Sequence, residues 1–74
     1  MKYKHLTLEH HGATAVVTFN RPERANALNY AHLAEIEHVA LAMREETQTR
    51  VVVFTGAGRH FSSGADLADP WAEN

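Results

Sequence analysis

The chain has 74 residues, a formal charge of −2 and no cysteine, so it forms at most one small domain, with no disulfide or thiolate metal site to staple it. Twelve of its hydrophobic residues are alanine, leaving 21 larger apolar side chains; so thin a core supply implies that the segment needs other protein surface to fold well. Its charges are mixed, without the basic cluster of a polyanion-binding face, and no uninterrupted apolar stretch follows Met1-Lys2-Tyr3-Lys4-His5-Leu6, so the expectation is a cytoplasmic protein with no nucleic-acid partner, secretory signal or membrane span.

From Tyr3 to Glu9 apolar and polar residues alternate, Leu6 and Leu8 on one face, His5, Thr7 and Glu9 on the other, as in a half-buried strand. His11-Gly12 supplies turn chemistry, and Ala13 to Phe19 resumes an extended pattern rich in β-branched residues, which predicts a hairpin. Asn20-Arg21-Pro22 ends the second strand, since proline lacks the ladder donor, and a loop follows through Ala25. Asn29 is the candidate N-cap of a helix from Tyr30 to Glu46, with Leu33, Ile36, Ala40 and Met43 as its buried stripe and Glu35, Glu37, Arg44 and Glu45 mostly off it. Val51 to Phe54 is a continuous run of β-formers that predicts a strand covered on both faces. Thr55 to Gly64, with three glycines and two serines, reads as a loop, and the tail from Asp66 to Asn74 has no strong periodicity.

Two stretches carry the chemistry: Asn20-Arg21-Pro22-Glu23-Arg24-Ala25-Asn26-Ala27-Leu28 and Phe54-Thr55-Gly56-Ala57-Gly58-Arg59-His60-Phe61-Ser62-Ser63-Gly64-Ala65-Asp66-Leu67. Together they resemble the two N-terminal signatures of the enoyl-CoA hydratase/isomerase (crotonase) family, and the hairpin, helix and strand around them fall in that family's order. The resemblance implies an α/β fold: the start of a spiral of strand-strand-helix units, with residues 1–74 forming the N-terminal part of an acyl-CoA-binding domain and incomplete without the rest. It also implies an acyl-CoA thioester substrate, enolate stabilisation in an oxyanion hole, hydratase (lyase) or isomerase chemistry of the kind used in fatty acid metabolism, and trimers or hexamers of the complete protein. Coenzyme A would enter as part of the substrate, with no permanently bound cofactor and no metal.

An enolate places negative charge on the thioester oxygen, and fixed backbone N–H groups aimed at that oxygen stabilise it without reorganising. By motif match the Ala65 N–H is one of the two donors. Ser63, Gly64, Asp66 and Leu67 fall where the family's loop passes the coenzyme, and Glu23, Arg24 and Ala25 where its chain wraps the pantetheine and phosphates. Asn26 reads as a local backbone organiser at the helix entry, Asp66 as a loop organiser rather than a base, and Gly56 and Gly58 as serving the tight exit from the strand. Two departures stand out. Ala68 replaces the lysine that many members carry after the Gly-Ala-Asp-aliphatic run, and neither the second oxyanion donor nor the proton-handling glutamates have a counterpart before Asn74. Glu23 and Glu35 do not inherit that role, so the chain alone is expected to be inactive. The alternative is a truncated or cleaved piece serving as an assembly module completed by another chain.

Competing motifs fail on spacing. Gly56-Ala57-Gly58 follows a strand, but Phe61 stands where a dinucleotide fingerprint needs glycine, and no Gly-Lys-Ser/Thr ends a phosphate loop. Ser62 and Ser63 lack a nucleophile elbow. His32 and His38 are six apart on the helix and His10 and His11 adjacent on a strand, so the pairs diverge, and the six histidines are expected on the surface or in loops.

Overall fold

The computed structural model of the chain describes residues 3–68. In chain order these form β1 (Leu6–His11), β2 (Thr14–Phe19), a 3-10 turn (Pro22–Arg24), α1 (Tyr30–Glu45) and β3 (Val51–Gly56). The sheet runs β1-β2-β3, with β1 antiparallel to β2 and β2 parallel to β3. A hairpin therefore feeds a strand-helix-strand crossover, because parallel neighbours need a long connection and the helix supplies it. The expected α/β order of strand, strand, helix, strand is the observed one.

The hairpin turn lies one residue beyond its expected start. His11 still pairs with Thr14, leaving Gly12-Ala13 as a two-residue connection, and Gly12 adopts a φ of +61°, the sign that a tight hairpin with glycine first requires. At the other end β1 begins at Leu6 rather than Tyr3. The backbone amides of Lys4 and His5 donate to the two carboxylate oxygens of Glu35 at 3.0 and 2.9 Å, so that segment is tied to the helix.

Along β2, Ala15, Val17 and Phe19 are buried and alternate with half-buried residues. Their partners on the same face are Leu6 and Leu8 of β1, and Val52 and Phe54 of β3 stand beside Ala15 and Val17 in the parallel register. Val39 completes the buried core, with Ile36 and Met43 packed against it. At ~1.5–3 kcal/mol for each large apolar side chain fully removed from water, this small cluster holds helix to sheet.

Asn29 caps α1 as expected, its side chain accepting from the His32 amide at 2.7 Å. The buried face of the helix is rotated from the expected stripe: His32, Glu35 and Val39 are buried, Leu33 is half-buried and Ala40 exposed. Docking turned the face toward two polar anchors, the His32 ring edge-on against Phe19 at 4.7 Å between centroids and Glu35 on the β1 entry. The expectation of surface histidines is thus corrected at His32, which has no exposed surface.

The strand predicted to be covered on both faces is an edge strand. Val51, Val53 and Phe54 are 53%, 42% and 44% exposed, and among the described residues β3 pairs with β2 on one side only. Val51 and Val53 face away from the helix, on a side of the sheet that nothing among the described residues covers. Strand pairing also runs to Gly56, beyond Phe54, before the loop begins. No helix among the described residues is long and apolar enough to cross a membrane. The expectations for residues 69–74 lie outside the described residues.

Candidate functional site

Both signature stretches leave the same end of the sheet. Asn20 follows β2 and Ala57 follows β3, and the Ala57 amide donates to the Phe19 carbonyl at 2.8 Å, so parallel pairing delivers the two loops side by side. Pro22 opens the 3-10 turn, where its missing N–H costs nothing. The chain then reverses through Ala25 and Asn26, both left-handed with φ of 52° and 55°. Such a conformation costs alanine roughly 1–2 kcal/mol, and it persists because neighbouring contacts determine it.

Those contacts zip the loops together. The Ser63 amide donates to the Ala25 carbonyl at 3.0 Å, the Leu28 amide to the Gly64 carbonyl at 2.8 Å, and the Asp66 amide to the Leu28 carbonyl at 2.9 Å. Leu28 and Ala65 form an isolated parallel bridge. In such a bridge both backbone groups of Leu28 are taken by the residues on either side of Ala65. The Ala65 N–H therefore faces away from Leu28; the residue is exposed, and its amide has no hydrogen-bond partner among the described residues.

Charge accumulates beside this amide. Asp66, 8% exposed, pairs with Arg21 at 3.3 Å and with Arg24 at 3.6 Å, and its other interactions include acceptance from the Ala68 amide at 3.0 Å. That amide, and then the two guanidiniums, hold the Asp66 carboxyl below its ordinary pKa. Arg21 also donates to the Ala27 carbonyl. Two cations thus face one carboxylate, which leaves the loop pair tolerant of an added negative charge.

The structure brings Arg24, Ala25, Ser63, Gly64, Ala65 and Asp66 into one layer. Glu23 is exposed on the 3-10 turn and makes none of the cross-loop bonds, and Leu67 is 83% exposed. Missed by the sequence reading was the reach of Asn26, fully buried and bonded to both loops. Its place at the loop-to-helix entry marks it in the sequence only as a local backbone organiser. Gly56 is also more constrained than expected: a Cβ there would lie 2.5 Å from the Phe61 carbonyl oxygen and 2.7 Å from its Cα. A surface groove of about 310 Å³ lined by Tyr30, Leu33, Ala34 and Glu37 belongs to the helix and includes none of these loop residues. Among the described residues no three His, Asp or Glu side chains are grouped to hold a metal ion.

Known proteins resemble this chain along most of its length. A family model described as enoyl-CoA hydratase/isomerase matches residues 9–74. The chain is 39% identical over 70 residues to a short-chain-enoyl-CoA hydratase of Clostridium acetobutylicum, covering 93% of this chain and 27% of that protein. It is 42% identical over 73 residues to a probable enoyl-CoA hydratase of Rhodobacter capsulatus, covering 99% and 28%. The crystal structure of an enoyl-CoA hydratase subunit from Geobacillus kaustophilus superposes with a TM-score of 0.89 at 31% identity, over 100% of this chain and 28% of that one. The chain thus spans little more than a quarter of the length of these relatives. With the family model matching nearly its whole length, the chain belongs to the enoyl-CoA hydratase/isomerase family.

Proposed function

We propose that the paired loops form part of a site for an acyl-CoA thioester, in which the Ala65 N–H stabilises the enolate oxygen that develops at the thioester carbonyl. One observation carries this reading: within a hydrogen-bonded layer whose neighbouring amides are engaged, Ala65 is an exposed residue whose N–H has no partner among the described residues. A rigid donor aimed at developing charge needs no reorganisation, and one such donor is worth ~10²–10³ in rate. Arg24, Ala25, Ser63, Gly64 and Asp66 lie along the same layer and, with Glu23 and Leu67 at its margins, would line the path of the coenzyme. The reaction is hydration or isomerisation of an enoyl-CoA, coenzyme A being part of the substrate and a homo-oligomer the working form.

Titration calorimetry with crotonyl-CoA and with free coenzyme A tests this. The thioester is expected to bind more tightly, because only it presents the oxygen that Ala65 addresses; equal affinities would remove the donor from the reading. These 74 residues supply one donor and none of the family's proton-handling carboxylates, so no conversion of crotonyl-CoA by the chain alone is expected. Measurable turnover would overturn that.

A second reading concerns assembly. The exposed Val51, Val53 and Phe54 on the open edge of the sheet favour a module completed by further polypeptide, since unpaired edges and bare apolar faces seek partners.

A further inference from the structure

We propose that Asn26 is the positioning residue for the Ala65 amide, a role that rests on the acyl-CoA reading above. Asn26 has no exposed surface, and its side chain spans the two loops. Its Oδ1 accepts from the Arg21 amide at 2.8 Å. Its Nδ2 donates to the Ala57 carbonyl at 2.9 Å and to the His60 carbonyl at 2.7 Å. The backbone takes part as well: the Asn26 amide donates to the Arg21 carbonyl at 2.8 Å, and its carbonyl accepts from the Ser62 hydroxyl at 2.9 Å.

This set demands an asparagine. One short side chain must offer an acceptor in one direction and two donors in another, from a residue whose φ of 55° asparagine tolerates better than most. Aspartate would keep the acceptor for Arg21 but would turn a negative oxygen toward two carbonyls. Glutamine adds a methylene for which a fully buried site has no room.

Two short routes lead from Asn26 to Ala65. Along the first, the Ser62 hydroxyl that donates to the Asn26 carbonyl accepts from the Gly64 amide at 3.1 Å, immediately before Ala65. Along the second, Leu28, two residues beyond Asn26, bonds the Gly64 carbonyl and the Asp66 amide on either side of Ala65. Asn26 thereby fixes both neighbours of the donor without touching the ligand. Small displacements of such a donor are costly, because its contribution depends on aim.

The test is Asn26→Asp, with Ser62→Ala as the milder variant. In amide hydrogen exchange, Asn26→Asp is expected to raise the rates at Leu28, Ser63 and Asp66 at least tenfold while the β2 amides keep theirs; unchanged rates at all three would overturn the proposal. Should β2 lose its protection too, Ser62→Ala decides. It is expected to raise exchange at Gly64, Leu28 and Asp66 about threefold or more, and no change there would overturn the proposal equally. The signature of positioning is the ¹³C resonance of carbonyl-labelled crotonyl-CoA. Bound to the native chain it is expected to move downfield; bound at saturation to Asn26→Asp, it is expected to stay near its solution position. A full shift in the variant overturns the role of Asn26 and leaves the acyl-CoA reading standing. No shift with the native chain removes that reading, and this role with it.

Discussion

His32 shows how a single residue can stabilise a fold conditionally. Its ring lies against Phe19, and both ring nitrogens are buried with no hydrogen bond of good geometry among the described residues, a situation that costs ~1–3 kcal/mol relative to a satisfied or apolar group. Burial is the main cause holding its pKa below the ordinary value of 6.5, reinforced by His5 and Arg21 and opposed by the Ala27 backbone and Glu35. Because the folded value is the lower one, the unfolded chain takes up the proton first as pH falls. The contribution of neutral His32 is therefore fully present above about pH 6.5 and is lost as pH drops from there through the lowered folded value. His32→Leu is expected to remove that part of the decline and to raise stability at neutral pH by about 1 kcal/mol, as read from urea denaturation across pH 5 to 8. A stability curve of unchanged shape in the variant would assign the acid sensitivity to other groups.

At the scale of elements, the decisive feature is the exit from β3. Gly56 ends the strand where the following loop folds back so closely that a methyl group would meet the His60 and Phe61 backbone. Backbone atoms, unlike a flexible side-chain tip, cannot step aside locally. Gly56→Ala is expected to cost about 1–3 kcal/mol and to disorder the Ser63 to Asp66 segment, measured by thermal denaturation together with the amide spectrum of that segment. Native stability in the variant would mean that the loop relaxes without loss. Clustered glycines mark this stretch as a loop and Gly56 as its tight exit. That residues 60 and 61 form the opposing wall is not encoded locally, since the contact arises only when the loop closes on the strand.

At the scale of the whole molecule, the three strands and one α-helix of the described residues leave apolar surface uncovered. Among the described residues nothing covers the sheet face that carries Val51 and Val53, and none pairs with the outer edge of β3. Such a surface promotes association. The chain in isolation is expected to self-associate with rising concentration, and Val53→Lys to shift that association at least fivefold in concentration, measured by sedimentation velocity. A chain that sediments as a monomer throughout would show that the exposed edge is tolerated.

The hairpin, the asparagine-capped helix, the following strand and the two loops were legible from residue order because each rests on local chemistry: alternation, β-branching, a cap, a proline and clustered glycines. The motif match also singles out Ala65 as the expected donor, a role that stays a proposal. What residue order left open was anything set by distant partners. The helix turned one residue so that His32 meets Phe19 and Glu35 binds the Lys4 and His5 amides, and a local apolar stripe does not encode which part of it will face a sheet. The valine-rich strand read as covered because its composition suits a central strand, yet coverage belongs to neighbours, and on one side of β3 the described chain provides none. The reach of Asn26 was hidden for the same reason: its amide serves carbonyls 31 and 34 residues away, and only parallel pairing of β2 with β3 brings those loops within hydrogen-bonding distance.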